Sequence, residues 1–208
     1  MDLQTYIELH SDAEPEYLAQ VNRDTHLRTI NPRMLSGHLQ GRMLAMICQM
    51  IKPKQILEIG TFTGYSALCM AEALTDEGLV HTIERDDELE DFILQNFRLS
   101  PFADKIKLHI GDALQIIPML NEVFDLVFMD GDKREYLAYY ETVLPAVRKG
   151  GFIIADNTLW DGKVLKPVDA NDRQTNEIMK FNDYVAADSR IKKVMLPIRD
   201  GLTVIMKK

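Results

Sequence analysis

From Gln55 onward the chain alternates short apolar runs with amphipathic segments, and no other feature restricts its fold as much. The pattern predicts strand 55–60, helix 65–75, strand 79–84, helix 87–99, strand 106–110, a short helix 113–120, strand 124–130, helix 134–148 and strand 151–156. Alternation at this spacing builds βαβ units, hence a parallel sheet with helices on both faces. Phe124–Met129 and Gly151–Ala155 are almost wholly apolar, as strands covered on both faces should be. The end of the chain breaks the rhythm. A long polar stretch, about 159–173, precedes a helix over 174–187 and two strands, 191–197 and 202–207, joined through Arg199-Asp200-Gly201. Asp-Gly is a hairpin signal, so the last strand is expected to run antiparallel to its neighbour. The expected fold class is α/β: seven strands, mostly parallel, with an antiparallel last strand.

The first fifty residues read as helices instead. Leu3–Leu9 is short, Glu14-Pro15-Glu16 opens a second helix, and a third runs from about Ser36 to Ile51 until Pro53 stops it. One domain over 1–208 is expected, with N-terminal helices (1–52) covering a site on an α/β core (53–208). The net charge, 24 − 32 = −8, argues against a nucleic-acid partner, because phosphate binding draws on a basic surface. Cys48 and Cys69 lie inside helical patterns and suggest no disulfide framework. No apolar stretch approaches the ~20 residues of a membrane span, and the N-terminus lacks a signal-peptide pattern. A cytoplasmic protein with no membrane partner is expected.

Chemistry concentrates at the ends of the predicted strands. Gln55-Ile56-Leu57-Glu58-Ile59-Gly60-Thr61-Phe62-Thr63-Gly64-Tyr65-Ser66 is a strand that ends on Glu-x-Gly, makes a glycine-bounded turn and opens into a helix. Such a turn lets a ligand lie against bare backbone where open α/β sheets bind cofactors. It is not Gly-x-Gly-x-x-Gly, so the dinucleotide fingerprint fails. Glu58 would repel a diphosphate; a positively charged cofactor fits better, and S-adenosylmethionine (SAM) is the common one. Glu84, ending the next strand, is positioned to grip ribose hydroxyls, or else to start a helix as an acid at its positive end. Asp112 is suited to accept from an adenine amino group or to cap the following helix, and the two roles are compatible.

The strongest physical case concerns Asp130 at the end of the fourth strand and Asp156-Asn157 at the end of the fifth. If those strands are neighbours, their backbones lie about 5 Å apart. Two ionised carboxylates that close repel unless a cation joins them. An all-oxygen set of Asp130, Asp156 and Asn157 suits a hard ion such as Mg²⁺, with Mn²⁺ or Ca²⁺ as alternatives. Lys133 reads either as a surface lysine paired with Asp132 or, beside a divalent cation, as a general base. Trp160 and Asp161 are candidates to line a substrate slot. The histidines show no metal-ligand spacing, and Arg190, Lys192 and Lys193 read as a solvated basic face.

With these motifs the chain resembles the cation-dependent O-methyltransferase family, which holds caffeoyl-CoA O-methyltransferases and catechol O-methyltransferase. The likeness runs from the N-terminal helices through Glu58–Ser66, Phe128-Met129-Asp130-Gly131-Asp132-Lys133 and Asp156-Asn157-Thr158-Leu159-Trp160 to Met195–Gly201. It implies a Rossmann-like class I methyltransferase fold and SAM contacts at Ser36, Glu58, Gly60, Thr61, Ser66, Glu84, Ala113 and Asp132. It also implies metal ligation by Asp130, Asp156 and Asn157, a base role for Lys133, adjacency of strands four and five, and a homodimer. Two positions depart from the plant enzymes: Glu84 stands where they have Asp, and Asp161 where they have a substrate-contacting Asn. The expected activity is divalent-metal-dependent methyl transfer from SAM to a hydroxyl of a catechol-type small molecule, caffeoyl-like among them. The rivals are methylation of a hydroxylated uridine in transfer RNA, known from a bacterial branch of the family, and a non-catalytic SAM-binding module.

Overall fold

The computed structural model describes residues 1–208, apart from the Gln4 side chain. The N-terminal helices are α1 (Leu3–Leu9), α2 (Glu16–Arg28) and α3 (Gly37–Ile51). Helix α3 stops on Lys52, whose amide closes the last helical bond to the Cys48 carbonyl at 2.7 Å before the chain turns left-handed (φ 52°), and Pro53 prevents continuation. The alternating region gives β1 (Gln55–Ile59), α4 (Tyr65–Glu72), β2 (Leu79–Glu84), α5 (Glu90–Arg98), β3 (Ile106–Ile110), α6 (Ala113–Leu120), β4 (Phe124–Met129), α7 (Tyr136–Ala146) and β5 (Val147–Ala155). Helix α8 (Arg173–Ala187) and strands β6 (Ile191–Leu196) and β7 (Leu202–Lys207) complete the chain.

Among the described residues seven strands form one sheet in the order β3-β2-β1-β4-β5-β7-β6. Pairings from β3 through β5 are parallel, and β7 runs antiparallel to both of its neighbours. The Asp200-Gly201 turn makes the expected hairpin, but the strand it returns lies between β5 and β6 rather than outside them. Side chains alternate across the sheet. Ile56, Leu126, Phe128 and Ile154 face α3, α4 and α5, whereas Leu57, Val127, Met129 and Ile153 face α6, α7 and α8. With both faces covered, the central strands must be apolar throughout, which is the pattern their sequences carry. No described helix is long and apolar enough to cross a membrane.

Helix α4 ends three residues early, at Glu72, and other departures of two residues or more from the sequence pattern occur at β5, α7 and α5. Strand β5 starts at Val147, four residues early, because Val147 pairs with Phe124 before a register shift reaches the main block at Phe152. Exposed Arg148 and Lys149 and the left-handed Gly150 (φ 73°) occupy that irregularity and hide the strand from any periodicity. Helix α7 correspondingly ends at Ala146, and the start of the helix predicted from 134 winds instead within a tighter 3₁₀ turn, Lys133–Glu135. The predicted helix over 87–99 likewise opens on a 3₁₀ turn, Asp87–Leu89, ahead of α5. Strand order reverses between β1 and β4, so the crevice above their carboxyl ends is where a ligand is received.

Candidate active site

The glycine turn after β1 lies hard against the end of β4. Gly60 has φ +97°, and a Cβ there would run into the Asp130 carbonyl. Gly64 has φ +88°, and a Cβ there would strike the Phe97 ring. Only glycine satisfies both the backbone and the space. Beneath the turn Glu58 is fully buried, with one oxygen 2.5 Å from the Thr82 hydroxyl. Thr82 has one proton and donates it to Glu58, so the Thr61 hydroxyl, also 2.5 Å from Thr82, must donate to Thr82. The second Glu58 oxygen, Oε1, has no hydrogen-bond partner among the described residues. Burial pushes Glu58 up to about 8; the Ser66 and Thr82 hydroxyls oppose this, while the Asp130 and Glu84 charges add to it. A buried carboxyl without a counter-charge suits a cationic ligand.

The remaining predicted cofactor residues lie at the ends of strands and the starts of helices. Glu84 accepts the Phe62 amide at 2.7 Å through one oxygen and the Arg85 and Asp86 amides at 2.8 and 3.0 Å through the other. It thereby pins the glycine turn to the end of β2. Asp112 caps α6 by accepting the Leu114 amide at 2.8 Å, ahead of buried Ala113. Asp132 caps the Lys133–Glu135 turn and accepts from Arg134 Nε at 2.9 Å, and that guanidinium holds its carboxyl below the ordinary value. Ser66 is buried in the first turn of α4, and Ser36 is buried at the start of α3.

Asp130 and Asp156 stand side by side, each one residue beyond the last paired position, Met129 opposite Ala155. Strands β4 and β5 are therefore the neighbours that a shared cation requires. Lys133 Nζ donates to Asp130 at 2.6 Å and to the Tyr136 hydroxyl at 2.7 Å. Tyr136 is fixed in turn by the Met129 and Asp156 carbonyls at 3.1 and 3.0 Å. The surface reading of Lys133 paired with Asp132 does not hold: Lys133 is 7% exposed, and Arg134 occupies Asp132. Burial pushes Asp130 up to about 6, with Lys133 pulling it down and Asp156 pushing it up. Asp156 accepts from Gln40 Nε2 at 2.6 Å and from the Asn157 amide at 2.7 Å.

The segment after β5 is bolted to the β6–β7 turn. Thr158 and Leu159 donate their amides to the Gly201 and Asp200 carbonyls at 3.0 and 2.9 Å, and the Asp161 amide meets Asp200 Oδ1 at 2.5 Å. Asn157, Trp160 and Asp161 all adopt left-handed φ, 55°, 48° and 53°, and the tight turns of Trp160–Leu165 are broken by a kink at Asp161-Gly162. The Trp160 indole N–H is buried without a partner among the described residues.

Among the described residues no three His, Cys, Asp or Glu gather in metal-binding reach. A cation here would rest on two carboxylates and the Asn157 amide oxygen. The donor set fits a hard cation: all its donors are oxygens, and the two carboxylates stand on adjacent strand tips. Gln40, Tyr136, Asp200 and Arg199 belong to this cluster but were not among the candidate site residues; Arg199 and Asp200 entered only through the predicted hairpin turn and the shared end motif. Tyr136 alone carried a local signal, three residues past Lys133 at the start of a helix.

A sequence model of the family described as O-methyltransferase matches residues 8–208. A caffeoyl-CoA O-methyltransferase of Eucalyptus globulus is 36% identical over 201 residues, covering 92% of this chain and 81% of that protein. One from Nicotiana tabacum is 34% identical over 202 residues, covering 92% and 84%. Among solved structures, the O-methyltransferase TomG of Streptomyces achromogenes, involved in tomaymycin synthesis and solved with SAM, superposes with a TM-score of 0.90 at 26% identity, covering 98% of this chain and 95% of that one. A Bacillus cereus O-methyltransferase solved with S-adenosylhomocysteine (SAH) gives 0.91 at 27% identity, covering 98% and 96%.

Proposed function

The chain belongs to the O-methyltransferase family, and from that premise we propose that it methylates one hydroxyl of a vicinal dihydroxy aromatic small molecule, using SAM and a divalent cation, Mg²⁺ first. The observation that carries the reading is the pair Asp130 and Asp156 on adjacent strand tips, with Lys133 Nζ 2.6 Å from Asp130, beside the glycine turn. Asp130, Asp156 and Asn157 would hold the cation, which when bound supplies Lewis-acid lowering of the substrate hydroxyl's pKa.

The chain's own residues do the rest. The Gly60–Gly64 turn would border the nucleoside, Glu84 would receive the ribose hydroxyls, and buried Glu58 would offer its free oxygen to a positive group. Lys133, in its neutral form, takes the proton of the hydroxyl being methylated, and Tyr136 keeps its amine aimed. The oxygen then forms its bond to the methyl carbon as the carbon–sulfur bond breaks, leaving a neutral thioether. Little covalent catalysis is asked of the protein; orientation of two reactants away from water supplies most of the rate. Trp160 and Asp161 flank the acceptor.

The test uses labelled SAM, a panel of catechols and unmodified cellular tRNA. Asp130→Ala and Asp156→Ala are each expected to lower kcat/KM by about 100-fold or more, with SAM affinity changed only a few-fold. A chelator should abolish transfer and Mg²⁺ restore it. Methylation indifferent to the chelator and to both substitutions would remove the cation from the reaction, and label appearing only in tRNA would replace the acceptor.

A further inference from the structure

We propose that Gln40, oriented by Arg199, is a positioning residue for Asp156, which makes the N-terminal helix α3 a working part of the cation site. The inference rests on the reading of that site given above. Gln40 is 1% exposed and lies 116 positions from Asp156 in the chain. Its Nε2 donates to Asp156 Oδ2 at 2.6 Å, while its Oε1 accepts from Arg199 at 2.7 Å. An arginine has donors only, so the amide oxygen must face Arg199 and the amide nitrogen must face the carboxylate. The Asn157 amide fixes the other Asp156 oxygen at 2.7 Å. Both oxygens are thereby held in place while each retains a lone pair for a further partner.

Arg199 is itself specified. It sits in the β6–β7 turn with a left-handed φ of 49° and donates also to the Leu35 and Ser36 carbonyls, where α3 begins. Its neighbour Asp200 holds the Asp161 amide at 2.5 Å and lies 3.5 Å from the Asn157 side chain. One turn therefore anchors the segment bearing Asn157 and, through Gln40, the carboxylate of Asp156. A role in packing alone would be served by an apolar side chain of similar volume, with no need to bury an amide bonded at both ends.

The test compares the full-length protein with Gln40→Met, Arg199→Met and the double variant, reading Mn²⁺ affinity by calorimetry and the Mn²⁺ electron paramagnetic resonance spectrum, both with SAH present. Outer partners of metal ligands are worth roughly 10–100-fold in metal affinity. Gln40→Met is expected to weaken Mn²⁺ about tenfold and alter the spectrum, Arg199→Met to weaken it less, and the double variant to match Gln40→Met. Excess Mn²⁺ should bring kcat back, with SAH affinity unchanged within about twofold, since the same outer partners act on metal affinity. Unchanged affinity and spectrum in Gln40→Met, or losses that simply add, would overturn the positioning role. If Gln40→Met does not fold, Arg199→Met, at an exposed position, decides by the same readouts. A wild-type protein that binds no Mn²⁺ sinks the cation reading and this inference together; wild-type binding with indifferent variants sinks this one alone.

Discussion

A carboxyl enclosed by strands and bonded through only one oxygen holds its proton far above the ordinary carboxylate range, and Glu58 is such a group. Between its ordinary 4.5 and about 8 the folded chain keeps a proton that the unfolded chain has released. Stability of the ligand-free protein therefore declines as pH rises through that window, and the contribution is gone above it. Asp130 acts with the same sign, between 3.8 and about 6. Glu58→Gln keeps the shape and removes the titration, so its melting temperature is expected to stay nearly level from pH 6 to pH 8 where the wild type falls. Thermal denaturation at unit pH steps checks this; a wild type that holds level over the same range would show Glu58 ionised in the fold. At this scale the sequence was informative where partners are local. Asp130 and Lys133 lie three residues apart and meet, whereas the surface pairing of Lys133 with Asp132 failed because Arg134 was the better placed cation.

Among elements, the contact between the β1 turn and the end of β4 leaves no room for an added side chain. Gly60→Ala combines a left-handed φ with a collision against the Asp130 backbone. It is expected to cost about 1–3 kcal/mol in a urea titration and to displace a proposed ligand, with transfer activity falling further than stability alone explains. Gly162 is the control: its φ is +67° but nothing lies within 4 Å of the added Cβ. Gly162→Ala should cost only about 1 kcal/mol, the backbone penalty. Equal losses at the two sites would mean that the turn yields to an added methyl. Element types were readable because apolar runs and helical periods follow from burial on two faces. The extension of β5 back to Val147 was not, since Arg148 and Lys149 are exposed and pair with no pattern. The basic face at the end was read by character only: Arg190 is tied to Asp188 and Glu141 at 2.6 and 2.5 Å, while Lys192 and Lys193 lie exposed on the edge strand β6.

For the whole molecule, a ligand that binds only the folded state must raise its stability. SAM at about 100 times its Kd is expected to add about 2.7 kcal/mol, which for a chain of this size is a rise in melting temperature of roughly 5–10 °C. A scan with and without SAM measures it, and no shift at saturating SAM would contradict the cofactor assignment. Sheet order explains why the crevice forms at all: β1 and β4 are neighbours although β2 and β3 lie between them in the chain, and their tips bring Gly60 against Asp130. The alternation of elements and the polar residues standing at each strand end were legible in the chain, because both follow from periodic burial and from short turn motifs. Which ends meet was not legible there: β7 inserts beside β5, the Arg199–Asp200 turn reaches the segment after β5, and Gln40 reaches Asp156 across 116 positions. Those contacts depend on how the chain crosses over and closes, and such long-range geometry leaves no local period to read.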